Sequence, residues 1–122
     1  MLITIPGRPV PAVRMTQKSK WSDSAKKYLG YKQLIGMIAR PYFTLPTKEQ
    51  VNVRVVVFLT GKTTPMGMDG DVDNYLKSAL DGLNKIAFVD DRQVMGAIVD
   101  KIPCQRATEQ KMDIYISIIK PQ

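Results

Sequence analysis

Apolar and polar positions follow two different periods along this chain, and the periods predict its elements. Residues 51–59 (VNVRVVVFL) put Val51, Val53, Val55, Val57 and Leu59 on one face and Asn52 and Arg54 on the other, the two-residue period of a half-buried strand. From about 23 to 40 the period lengthens to 3.6. Tyr28, Tyr31, Leu34, Ile35, Ile38 and Ala39 form a helical stripe, Ser22 stands as its N-cap and Pro41 ends it. Lys26, Lys27 and Lys32 fall on the polar side and read as a solvated face. A second helix fits residues 74–87, where Leu76, Ala79, Leu80, Leu83, Ile86 and Ala87 recur at three and four, with Lys77, Asp81 and Lys85 laddered on another side.

Shorter runs complete the pattern. Met1 to Pro6 reads as a first strand, and residues 93–102 and 111–119 as two more, expected to pair as a hairpin across a long connection. The predicted fold is α+β: a single small domain over residues 1–122, with a mixed β-sheet and two main helices in the order β-α-β-α-β-β. Between the first strand and first helix lies PGRPVPAVRMTQKSKW, whose prolines exclude a regular element in its first part. Its Arg8, Arg14, Lys18 and Lys20 suit an arm that touches phosphate. Trp21 closes it and reads as packing beside the helix start, with base stacking as the alternative. Gly61-Lys62-Thr63 ends like a phosphate-binding Walker A loop, but Val56 stands where that motif needs its first glycine.

Composition narrows the chemistry. The 122 residues contain no histidine, which excludes Ser-His-Asp triads, HExxH zinc sites and any histidine base. The one cysteine, Cys104, can form neither an internal disulfide nor a cysteine-rich zinc site. No signal peptide and no apolar run long enough to cross a membrane is visible, so the expectation is a cytoplasmic protein.

The net charge of +7 suits a polyanionic partner, and its distribution is uneven. Residues 1–60 hold ten Lys and Arg against two acids, while residues 61–122 hold eight against nine. Five of those acids fall at Asp69, Asp71, Asp73, Asp90 and Asp91. Carboxylates gathered this closely repel one another, and a divalent cation removes that cost because hard cations take oxygen ligands. Asp71 and Asp73, two apart before a helix, are matched by Lys77 one helical turn further on. Helix capping by Asp71 or Asp73 is the plainer reading of the same spacing. Asp90 and Asp91 follow the helix, so the sheet must bring the chain back if both ends are to share one site.

The extended pattern resembles the RusA family of Holliday-junction resolvases. The likeness is carried by Pro9-Val10-Pro11 with Arg14, by Asp71-Val72-Asp73-Asn74-Tyr75-Leu76-Lys77, by Leu80-Asp81-Gly82-Leu83-Asn84 and by Asp90-Asp91-Arg92-Gln93-Val94, with the basic Lys101 on the strand beyond. The chain departs from the family where Met15 and Thr16 follow Arg14, a place that often carries a second arginine. The resemblance implies a homodimeric, Mg²⁺-dependent endodeoxyribonuclease, of a kind often encoded on prophages, that nicks four-way junction DNA symmetrically. It implies Asp71, Asp73 and Asp91 as metal-binding catalytic carboxylates, Lys77 as the catalytic lysine and Asp90 as a secondary metal contact. The alternatives are a non-catalytic nucleic-acid-binding protein and a Mg²⁺ nuclease acting on other branched DNA.

Overall fold

A computed structural model describes residues 1–16, 21–61 and 70–120. Four strands, β1 (Leu2–Pro6), β2 (Gln50–Leu59), β3 (Val94–Pro103) and β4 (Lys111–Ile119), form one mixed sheet in the order β1-β4-β2-β3. Two helices, α1 (Asp23–Ala39) and α2 (Val72–Leu83), complete the predicted β-α-β-α-β-β order. No helix among the described residues is long and apolar enough to cross a membrane.

The alternation of β2 decides the layering. Val51, Val53, Val55, Val57 and Leu59 are buried and meet Ile35, Ala39, Tyr75, Ala79 and Leu83 from the helices. On the opposite sheet face Arg54, Ile98 and Tyr115 are exposed, while Val56 and Asp113 are buried. Ser22 caps α1 as expected, its hydroxyl accepting from the Ala25 N–H at 3.1 Å. Tyr28 and Tyr31 are buried, and the Tyr28 hydroxyl donates to Asp81, tying α1 to α2. Burial and that carboxylate push the Tyr28 hydroxyl's pKa up.

The helices touch through glycine. A Cβ on Gly82 would lie 2.6 Å from Ile35 atoms, including its Cβ on the facing helix. Gly82→Ala must therefore push the helices apart. It is expected to destabilise the fold by about 1–3 kcal/mol, read as a lower midpoint in urea unfolding.

Three expectations need correction. β3 and β4 do not form a hairpin. β3 runs parallel to β2 at the sheet edge, and β4 lies between β2 and β1, antiparallel to both. The long connection allows this because it crosses the end of β2, where the Cys104 N–H bonds the Leu59 carbonyl. α2 runs from Val72 to Leu83 rather than 74–87. Lys85 takes φ 67°, which breaks the helix, while Ile86 remains half-buried against the core and Ala87 within it. Trp21 is 72% exposed, so the packing expected of it is at most partial.

Candidate active site

β2, α2 and parallel β3 make a crossover unit. α2 starts where β2 and β3 finish, and β3 starts beside the first residues of β2. This places Asp71 and Asp73 at one end of the sheet.

Several contacts shape the turn that carries them. Gly70 sits at φ 79°, and a Cβ there would fall 2.7–2.9 Å from the Tyr75 ring, so the position demands glycine on both counts. The Lys101 ammonium, half-buried near the finish of β3, donates to the Gly70 carbonyl at 2.7 Å. Asp71 occupies the N-cap position with extended backbone, and its carbonyl accepts from the Asn74 and Tyr75 N–H groups. Its side chain makes no capping hydrogen bond. The carboxylate that would ordinarily be spent on the helix end is exposed instead, as is that of Asp73 in the first turn. Lys77 is exposed one turn further along α2, on the side of Asp73.

The arm reaches the same end. The Ser78 hydroxyl, fully buried, donates to the Val10 carbonyl at 2.7 Å, and the Ala12 N–H donates to the Asn74 carbonyl at 2.9 Å. The chain thus runs back along α2 towards its N-terminus, and two more residues carry the exposed Arg14 to the level of the first turn. Arg8 is tied to the protein, donating to the Thr60 carbonyl at 3.1 Å and to Gln110 Oε1 at 2.6 Å. Lys18, Lys20 and Asp69 lie outside the described residues.

Asp90 and Asp91 lie elsewhere. Asp90 caps a 3₁₀ turn over Asp91–Gln93, accepting from the Arg92 N–H at 2.8 Å and from Arg92 Nε at 3.1 Å. The Arg92 N–H, then its side chain, hold the Asp90 carboxyl below the usual carboxylate range. Gln93 anchors the turn to the Thr47 and Glu49 carbonyls before β2. Asp91 is exposed beside the start of β3. The seven steps from Val94 to Lys101 span about 23 Å at strand rise. Asp91 therefore stands at the opposite end of α2 from Asp71 and Asp73. Among the described residues no group of three or more acidic or cysteine side chains is close enough to hold a metal ion.

Within one chain, then, Asp71, Asp73, Lys77, Lys101 and the docked arm share one end of the sheet, while Asp90 and Asp91 stand at the other. Asp71 and Asp73 fit the habit of Mg²⁺, which takes one or two carboxylates and completes its shell with water and phosphate. The contact of Lys101 with Gly70 was not legible in the sequence; its only signal was a basic residue late in an apolar strand. The family model described as Endodeoxyribonuclease RusA matches residues 6–118, from the last residue of β1 almost to the end of β4. No curated protein matches the chain.

Proposed function

The chain belongs to the RusA endodeoxyribonuclease family, and on that footing we propose that it is a Mg²⁺-dependent resolvase that nicks four-way DNA junctions symmetrically in recombination and repair. The observation that carries the reading is the Asp71 carboxylate, left uncommitted at a helix N-cap beside exposed Asp73 and Lys77. Asp71 and Asp73 would hold the ion, which when bound supplies Lewis acidity for phosphodiester hydrolysis. Lys77 neutralises charge that develops at the scissile phosphate. Arg14, delivered by the docked arm, grips a neighbouring phosphate of the same strand, and Lys18 and Lys20 extend that grip.

A second copy of the chain supplies a third carboxylate. β3 is a ten-residue strand at the edge of the sheet among the described residues, and it exposes Met95 (58%) and Ile98 (60%). Such an edge is a template for pairing. Antiparallel pairing of β3 with its own copy about a two-fold axis sets the start of one strand beside the finish of the other. The partner subunit's Asp91 then arrives next to Asp71 and Asp73. The C2 dimer has two such sites, as symmetric nicking of a two-fold junction requires.

Incubation with a four-way junction, a flap and plain duplex, each with Mg²⁺ or chelator, tests the reading. Paired symmetric nicks at the junction, dependent on Mg²⁺, are expected. Junction binding without cleavage would show a binding protein, and equal cleavage of the flap would show a less selective nuclease.

A further inference from the structure

β3 does two things at once. Its outer edge is the proposed seam between copies, and near its finish Lys101 reaches across to the turn before α2. The ammonium spends a hydrogen bond on the Gly70 carbonyl at 2.7 Å, one residue before Asp71. A neutral donor would satisfy that carbonyl equally well. A lysine adds a fixed positive charge beneath a turn whose next residues expose two carboxylates, and so opposes their mutual repulsion.

The Tyr75 ring also lies close against Gly70, so the turn touches both the ring and the ammonium. Because Lys101 belongs to β3, the position of Asp71 is referenced to the strand whose edge would receive the second copy. The N-cap geometry adds to this, since Asp71 has no capping bond of its own to orient its carboxylate.

We propose that Lys101 is a positioning residue of the metal site: it clamps the Gly70 turn to β3 so that Asp71 and Asp73 are set to take a divalent cation. The proposal rests on the reaction proposed above and deepens it. Groups that hold metal ligands in place typically contribute ten- to hundredfold in metal affinity.

The test uses Lys101→Met and Lys101→Arg in the full chain, with Mn²⁺ as probe. Mn²⁺ binding to the protein without DNA is followed by electron paramagnetic resonance. Junction nicking is followed against Mg²⁺ concentration, and folding by thermal melting. Lys101→Met is expected to weaken Mn²⁺ binding by about tenfold or more and to raise the half-saturating Mg²⁺ by a similar factor. Nicking at saturating Mg²⁺ should return to within about threefold of the unchanged protein, and Lys101→Arg should restore most of the metal affinity.

A merely structural lysine would lower the melting temperature without moving the Mg²⁺ requirement, and a phosphate contact would weaken junction binding with Mn²⁺ affinity intact. Either result overturns the proposal. If Lys101→Met does not fold, Lys101→Arg decides alone, since unaltered Mn²⁺ affinity together with lost nicking would sink it. Failure of the unchanged protein to nick any junction overturns the resolvase reading itself and takes this proposal with it.

Discussion

Asp73→Asn is expected to slow four-way junction nicking by about a thousandfold or more, while junction affinity stays within about twofold. The side chain is exposed in the first turn of α2, so an isosteric amide fits without repacking. What it loses is the negative charge that would hold the cation. The helix itself loses at most about 0.3–1 kcal/mol, the usual value of an acid near an exposed N-terminus. Binding should survive because the proposed grip on phosphate lies in the basic arm, and removing a negative charge near the DNA does not weaken that grip. Asp71→Asn should behave alike, because its carboxylate does no capping. Asp90→Asn provides the contrast. Its carboxylate is already committed to Arg92, so it should perturb the 3₁₀ turn and leave most of the nicking rate. Nicking by Asp73→Asn within tenfold of the unchanged protein would remove Asp73 from the metal site.

Much of this was legible in the sequence wherever the determining contact is local. The alternation of Val51 to Leu59 depends on neighbours two apart, and the Ser22 cap on Ala25, three residues on. The Asp71 turn is local too: the sequence placed Asp71 just before a helix, although Asp73 falls inside its first turn rather than ahead of it. Strand order is not local. Nothing in residues 93–119 states that β3 pairs with β2 rather than β4, because both partners present the same apolar alternation. The misplaced end of α2 has a related cause, since Ile86 and Ala87 keep the helical period while Lys85 has already turned the chain. The strand-order error hides the most consequential feature of the site. Once β3 is parallel to β2, α2 must span the sheet between its two carboxylate groups, and at twelve residues it is about 18 Å long. The Lys101 contact with Gly70, thirty-one residues away, is equally beyond any local pattern.

That separation predicts a complementation result that a one-chain site cannot give. Asp71→Asn and Asp91→Asn should each be inactive as purified dimers, because every site in either dimer lacks one carboxylate. After the two are mixed and allowed to exchange subunits, heterodimers contain one site in which both defects coincide. Their other site joins an intact Asp71–Asp73 pair to the partner subunit's intact Asp91. Nicking should therefore reappear, from a background at least about a hundredfold lower. It should appear as single nicks in one strand, not as the paired nicks of full resolution, because only one site per heterodimer is whole. Mixing Asp71→Asn with Asp73→Asn is the control, since both changes strike the same half of the site. Each of that heterodimer's two sites then carries one defect, and no activity should return. If each chain instead built its own site, both mixtures would stay silent, since no subunit exchange could unite an intact Asp71 with an intact Asp91. Disruption of the β3 edge gives the same argument a second handle. Ile98→Lys places a charge at the middle of the exposed strand, where two-fold pairing sets it near its own copy. It should yield a folded monomer by sedimentation that retains Lys101 on Gly70 but cannot nick. A monomeric Ile98→Lys protein with full nicking activity would return Asp91 to its own chain and end the shared-site account.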